Sequence, residues 1–337
     1  MKQYNVAIAG ATGAVGQEFL GVLEAHNFPL SSLKLLASER SEGKKIKWCG
    51  LEYTIERLSE DSFKGIDIAL FSAGSSRSKQ FAKPAVDSGA VVIDNSSAFR
   101  MDPNIPLVIP EINPDDLVGH KGVIANPNCS TIICLMAVAP LLKFGPIKRL
   151  VVSTYQAVSG AGAAAMEELK VQAKEVLEGR PAVKKVLPHQ TAFNIFSHNS
   201  AVNEHGYNEE EWKMILESQK ILHMPELKVT ATCVRVPVLR AHSESINIEF
   251  ERRPTREQAR EALEAFPGVC IVDDRELNYF PMPIDASGKE DVLVGRLRYD
   301  ASNDNAIDLF VSGDQLLKGA ALNAVQIAEK MIERNII

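Results

Sequence analysis

The chain has 337 residues, 45% of them hydrophobic and 24% charged, with a formal net charge of −6. That is ordinary globular composition, long enough for two domains with substantial cores, and it argues against a single miniature domain. The basic residues are scattered, which argues against a nucleic acid as partner, whereas a small anionic substrate needs only a few local Arg and Lys side chains.

In chain order, Tyr4 to Ala9 reads as a short buried strand, and "GATGAVGQEFLGVLEAH" as a glycine-rich turn that opens an amphipathic helix. Further apolar runs follow: "LKLLAS" (Leu33 to Ser38), "IDIALFSAG" (Ile66 to Gly74), "AVVIDNSS" (Ala90 to Ser97) and "GVIANPN" (Gly122 to Asn128). Strands alternating with helical or polar segments predict a Rossmann-type, doubly wound parallel α/β sheet, in which ligands bind at the carboxyl ends of the strands. After Asn128 the character changes. "LVVSTYQAVSG" and "KVTATCVRVPV" are long β-branched strands, and "SESINIEFERRP" alternates, with Ile246, Ile248 and Phe250 on one face. With the helical stretches Ala163 to Gly179 and Asn208 to His223, they predict a second α+β domain built on a mixed sheet. "ERRPTREQAR" reads as a solvated loop and helix start. The last segment, "SGDQLLKGAALNAVQIAEKMIERN", reads as a helix capped by Ser312 or Asp314, packing back on the first domain. The expected boundaries are therefore 1–128, 129–312 and 313–337.

No apolar stretch approaches the ~20 residues of a membrane span, and the amino terminus enters a fold motif without signal-peptide layout, so a cytoplasmic location is expected. The five cysteines are widely spread with no C-x-x-C pair. That argues against a disulfide framework and a structural zinc site, and no metal is expected.

Gly10, Gly13 and Gly16 form G-x-x-G-x-x-G between a strand and a helix, the context a dinucleotide fingerprint requires. The glycines let backbone approach a pyrophosphate, whose charge meets the open N–H groups and positive end of the helix. Tight helix packing is the plainer reason for the same glycines. The next strand ends "LLASERSEGKK", where Ser38, Arg40 and Ser41 can surround a ribose 2′-phosphate, with Lys44 near. NADP is thus expected over NAD, although Glu39, if turned inward, would favour the unphosphorylated cofactor.

"ANPNCSTIICL" sets Cys129 between a turn and an apolar run from Ile132 through Leu142 that reads as a buried helix. Asn128 can cap it, putting Cys129 in the first turn, where the dipole favours a thiolate and open N–H groups suit an oxyanion. Position alone leaves a nucleophile and a structural thiol equally open, since free Cys is commonly buried. Cys134, inside the run, reads as core.

Six motifs, "GATGAVG", "SSAFRMD" (Ser96 to Asp102), "NPNCST", "YQAVSGAG" (Tyr155 to Gly162), "EEWK" (Glu210 to Lys213) and "RVPVLRAHSESI" (Arg235 to Ile246), occur in this order over nearly the whole chain. Together they resemble the aspartate-semialdehyde dehydrogenase family. The resemblance implies NADP-dependent interconversion of aspartyl 4-phosphate with aspartate 4-semialdehyde and phosphate, at the branch toward lysine, threonine and methionine. It also implies a homodimer or dimer of dimers, assembled through the sheet of the second domain.

The resemblance assigns Cys129 as nucleophile, His242 as acid/base and Gln156 as the group that orients the acyl carbon. A covalent thioester suits an acyl phosphate, which accepts hydride poorly by direct attack, and an imidazole titrating near operating pH suits proton shuttling. Arg100 and Lys213 match phosphate-binding positions, Arg235 the α-carboxylate position and Glu210 the α-ammonium position, with Asn128 also in the substrate set. From the residues alone, Glu210 and Lys213 would be a solvated i, i+3 helix pair. Arg235 differs, because a charge between Val234 and Val236 needs an anionic partner. Gly10, Thr12, Gly13, Ala14, Val15, Gly16, Ser38, Arg40, Ser41, Ser159, Gly160 and Gln315 are the implied cofactor contacts. The competing readings are an N-acetyl-gamma-glutamyl-phosphate reductase, which would have no charged amine for Glu210 to meet, a more distant sugar-phosphate aldehyde dehydrogenase, and a non-catalytic NADP-sensing module.

Overall fold

Six parallel strands form the first sheet of the computed structural model, which describes residues 2–337. Their order is Glu56–Arg57, Leu30–Ala37, Tyr4–Ala9, Ile68–Phe71, Val91–Asp94 and Val123–Ala125. Tyr4–Ala9 lies inside this sheet, paired with Leu30–Ala37 on one side and Ile68–Phe71 on the other. Burial on both faces explains why its apolar residues run continuously instead of alternating. Helices Ala14–Ala25 and Ser75–Asp87 make the crossovers, and Phe63 stacks on Phe71 with ring centroids 5.5 Å apart. A hairpin of Lys45–Trp48 and Leu51–Thr54 was not legible in the sequence; Cys49 and Gly50 turn it at φ 48° and 75°, the positive values a two-residue hairpin loop requires.

This first unit runs to Asn128 and resumes over Ala320–Ile337. Its terminal helix, Leu322–Glu333, packs on Ala14–Ala25. Asn323, fully buried, donates from Nδ2 to Val108 O (3.0 Å) and to Asn126 Oδ1 (2.7 Å).

Cys129–Gly319 forms the second unit. Its sheet is mixed, in the order Phe196–Ser197, Lys228–Arg235, Ile147–Gln156, His242–Phe250, Ala306–Gly313, Val292–Tyr299 and Val269–Ile271. Lys228–Arg235 runs parallel to Ile147–Gln156, and His242–Phe250 antiparallel to it. Ile246, Ile248 and Phe250 are fully buried, while Ser245, Asn247 and Glu249 between them are half-exposed, the alternation expected of a sheet covered on one face. The helix Cys129–Val138 has no polar face, and Ser130 to Val138 are all buried. It stops at Val138 rather than running on to Leu142, because Pro140 has no N–H for the ladder and the chain tightens into a 3-10 turn over Ala139–Phe144. Ser312 belongs to a strand; Asp314, not Ser312, caps the following turn, its Oδ1 accepting from the N–H groups of Leu316 (2.9 Å) and Leu317 (3.2 Å). Among the described residues no helix is long and apolar enough to cross a membrane, and no cluster of three His, Cys, Asp or Glu could hold a metal.

Candidate functional site

In the first unit, a cavity of about 200 Å³ opens where the first two strands end, lined by Gly10, Thr12, Gly13, Ser38, Arg40 and Arg77 among others. Two of the three fingerprint glycines are demanded by packing alone: a Cβ on Gly10, at φ +94°, would lie 2.2 Å from Ser72 O, and one on Gly16 would lie 2.2 Å from Gly10 O. Gly13 has no such conflict, its nearest neighbour being Gly10 O at 3.3 Å, and it faces the cavity at the helix entrance. The first-turn N–H groups of Ala14, Val15 and Gly16 are the open donors there, with no acidic side chain in that turn to oppose an anion.

Glu39 is exposed and turns to Arg57, Nη1 to Oε1 3.4 Å, away from the cavity lining. Ser41 is buried, its N–H donated to Ser38 O at 2.8 Å, and neither Ser41 nor Lys44 lines the cavity, because the 3-10 turn Glu39–Ser41 folds Ser41 inward. Arg77, on the helix Ser75–Asp87, brings a second guanidinium that the sequence reading missed; only the fold carries it to Arg40. Two arginines, a serine and a helix entrance fit an anionic dinucleotide that carries an extra phosphate.

Arg100 follows the strand Val91–Asp94 in the same unit. Its buried guanidinium donates from Nε to Asn126 O and from Nη2 to Asn95 O, both at 2.9 Å. The loop before it is held by Asp94, which accepts from Ser78 Oγ (2.6 Å), Ser96 N (3.2 Å) and Ser96 Oγ (2.6 Å).

In the second unit, Cys129 opens its helix directly and is half-buried. Gly319 packs against it so closely that a Cβ there would lie 2.9 Å from Cys129 Cβ. Cys134 and Cys233 are buried, and desolvation holds both thiols well above their ordinary pKa, so they are inert core. Cys49 sits exposed on the hairpin turn and Cys270 half-buried on an edge strand.

Gln156 ends its strand, 1% exposed, and donates from Nε2 to Ser130 Oγ (2.7 Å) and Glu210 Oε1 (3.1 Å). Glu210 is buried and also takes Lys213 Nζ at 3.2 Å. The i, i+3 pair is therefore no solvated surface pair, because its acid reaches inward. The capping box of Asn208 and Glu211 fixes the start of that helix, and Glu211 Oε1 ties it to the sheet through Cys233 N at 3.0 Å.

Residues 157–160 then zip onto 236–242. Val158 N donates to Val238 O (2.9 Å), Ser159 N to Leu239 O (3.2 Å) and Ala157 N to His242 Nδ1 (3.0 Å). Gln315 clamps the same corner, donating from Nε2 to Ser159 Oγ and accepting Ala241 N on Oε1 at 2.8 Å. Ala241, at φ 70°, is a strained non-glycine residue that sets the direction from which His242 enters the strand. Since Nδ1 accepts, the neutral ring carries its proton on Nε2, and that edge meets Gly160, whose Cβ, if present, would lie 3.4 Å from His242 Nε2 and from Arg235 Nη1. His242 does not titrate near neutrality as the sequence reading supposed. Burial first, then the Arg235 charge, hold its pKa down to about 3.

Arg235 is 4% exposed and donates from Nη1 to Ala157 O (2.7 Å) and from Nη2 to His198 Nε2 (3.0 Å). Its Nε and the Oε1 of Gln156 are buried with no partner among the described residues, a donor and an acceptor ready for a polar ligand. Arg235 also feels the charges of Glu210 and Cys129. The second unit thus gathers Cys129, Gln156, Glu210, Lys213, Arg235 and His242, with Ser159, Gly160 and Gln315 at the adjoining corner. His198 and Ser130 were not singled out from the sequence: His198 stands in no motif, and Ser130, although inside "NPNCST", is tied to Gln156 only by the fold.

The chain matches two family models, semialdehyde dehydrogenase NAD binding domain over residues 5–120 and semialdehyde dehydrogenase dimerisation domain over residues 138–318. It is 54% identical to an aspartate-semialdehyde dehydrogenase of Synechocystis sp. over 98% of both chains, and 53% identical to one of Aquifex aeolicus over 99% of both. Among solved structures, aspartate semialdehyde dehydrogenase II of Vibrio cholerae complexed with ASA superposes with a TM-score of 0.96 at 44% identity, covering 99% of each chain. The Candida albicans enzyme with NADP superposes at 0.79 and 26% identity over 100% of each.

Proposed function

Because the chain belongs to the aspartate-semialdehyde dehydrogenase family and has that activity, as an NAD(P)-binding oxidoreductase of aspartate-family amino-acid biosynthesis, we propose that it reduces L-aspartyl 4-phosphate through a thioester on Cys129. NADP is the preferred cofactor in this reading, held by Gly13, the first turn Ala14 to Gly16, Ser38, Arg40 and Arg77. The protein works in the cytoplasm as a homodimer or dimer of dimers joined through the second-unit sheet.

Cys129 attacks the acyl carbon as the thiolate, the carbon–oxygen bond to phosphate breaks, and phosphate leaves with the electron pair. When bound, NADPH supplies the hydride that reduces this thioester. The resulting tetrahedral oxyanion on Cys129 collapses, the C–S bond breaks, and the aldehyde and the Cys129 thiolate are released. His242, neutral and protonated on Nε2, donates a hydrogen bond to that oxygen as charge develops on it. A preorganised donor in a dry site suffices for this, and a low pKa keeps the ring from carrying a competing charge. Gln156 offers Oε1 and Ser130 steadies its amide. Arg235 binds the α-carboxylate, Glu210 the α-ammonium, and Arg100 and Lys213 the phosphate, with Asn128 in the substrate set. Ser159, Gly160 and Gln315 serve the nicotinamide end of the cofactor.

The observation that carries this reading is the pair of unsatisfied buried groups, Arg235 Nε and Gln156 Oε1, in the unit that holds Cys129 at a helix entrance. The buried Glu210 favours a charged amine over an acetylated one, against the N-acetyl-gamma-glutamyl-phosphate reductase alternative. The test is NADPH formation by the purified protein with NADP, phosphate and either aspartate semialdehyde or N-acetylglutamate semialdehyde. Phosphate-dependent turnover of the first alone is expected, faster with NADP than with NAD. Turnover of the second alone would overturn the roles of Glu210 and Arg235.

A further inference from the structure

We propose that His198 is a positioning residue for the substrate carboxylate, its neutral ring holding the Arg235 guanidinium at the orientation that leaves Nε–H free. The proposal rests on the carboxylate-binding role of Arg235 given above and adds the group that aims it. A guanidinium has five N–H donors and no acceptor, so at the 3.0 Å contact between Arg235 Nη2 and His198 Nε2 the imidazole nitrogen must be the acceptor. The ring proton then sits on Nδ1, which faces Ser200 Oγ at 3.1 Å and donates to it.

The second anchor of Arg235 is Ala157 O, 2.7 Å from Nη1. With each terminal nitrogen tied to a different partner, the guanidinium plane is fixed and its Nε edge cannot swing. Ala157 also donates its N–H to His242 Nδ1, so one residue keys the orientation of both Arg235 and His242. His198 is itself placed by backbone. The two-residue strand Phe196–Ser197 pairs antiparallel with Val234–Arg235, and His198 N–H donates to Cys233 O at 2.9 Å. The ring stays an acceptor across the physiological range, because burial first, and then the Arg235 and Lys213 charges, hold its pKa down to about 4 against the opposing pull of Glu210. A histidine that became charged here would face Arg235 as a like charge; this one does not.

The experiment uses the full chain with NADP, phosphate and aspartate semialdehyde, reading KM and kcat separately. His198→Leu keeps bulk and removes the acceptor; KM for the semialdehyde should rise about tenfold, the worth of one charge-assisted hydrogen bond, with kcat falling by less. His198→Gln, whose amide oxygen reaches near the Nε2 position, should bring KM back to within about threefold of the unaltered protein. Thermal unfolding followed by circular dichroism establishes that each variant is folded, and if the leucine variant is not, His198→Asn, whose amide is too short to reach Arg235, takes its place with the same expectation. Arg235→Lys should raise KM as well, and His198→Leu added to it should cost less than it does alone, since the two act as one unit. An unchanged KM in His198→Leu beside a raised KM in Arg235→Lys overturns this proposal and leaves the role of Arg235 standing. An unchanged KM in Arg235→Lys overturns both, and a folded glutamine variant as impaired as the leucine one overturns the acceptor role.

Discussion

Gly160→Ala should separate stability from catalysis at this site. Gly160 is exposed and outside the left-handed region, and the added Cβ would meet only ordinary van der Waals neighbours, Arg235 Nη1, His242 Cε1 and His242 Nε2, each at 3.4 Å. The folded protein should therefore accept it, with unfolding free energy unchanged or raised by about 0.4–1 kcal/mol from the stiffer unfolded chain. An oxygen accepting from Nε2 must come to about 2.9 Å of it, and a methyl carbon at 3.4 Å from the same nitrogen crowds that approach. Losing one oxyanion donor costs about 2.7–4 kcal/mol, so kcat should fall by roughly 10²- to 10³-fold. The assay is phosphate-dependent reduction of NADP by aspartate semialdehyde, with thermal unfolding and an NADP titration on the same preparation. A folded variant with full kcat would refute the placement of the reacting oxygen between Gly160 and His242. A variant that had lost only NADP affinity would assign the effect to the cofactor instead.

Cys129→Ala should abolish turnover while NADP still binds, read by rapid-quench detection of an acyl-enzyme and by cofactor titration; substantial residual activity would remove the thioester. Arg40→Ala should weaken NADP by about 1.5–3 kcal/mol, the worth of hydrogen bonds to a charged group, and leave NAD nearly unaffected, so the ratio of the two KM values is the diagnostic. Glu244 is fully buried, neither carboxylate oxygen has a partner among the described residues, and desolvation first, then the charge of Glu210, push its pKa well above the ordinary 4.5. A raised acid pKa means the folded state binds the proton more tightly, so stability is greatest below the unfolded value and is lost as pH rises above it. Glu244→Gln should abolish that loss, gaining on the unaltered protein by up to about 1.4 kcal/mol per pH unit between pH 4.5 and the raised folded-state pKa, and no more beyond it; a gap between the two denaturation curves that does not move with pH would refute it.

Local physics made much of this protein legible in one dimension. The strand Tyr4–Ala9 and the glycine turn behind it, the helix that begins at Asn208 and the alternation of Ile246, Ile248 and Phe250 each follow from a residue's own conformational cost or from the period of burial, which neighbours in sequence report. Ordered motifs carried the family and its chemistry. What sequence could not give is which side chains face one another across strands that are far apart in the chain. His198 reaches Arg235 only through the register of a two-residue strand, Arg77 reaches the Arg40 cavity only through a crossover helix, and Gln315 clamps Ser159 from 156 residues away. The state of His242 was misjudged for the same reason, since an imidazole's pKa is set by the desolvation and charges that surround it in space, and both arise only when the sheet closes over it. Sequence determined the elements and the reactive residue types; the tertiary structure alone decided their partners, their tautomers and their charge, because desolvation and through-space electrostatics depend on distances that exist only in the folded chain.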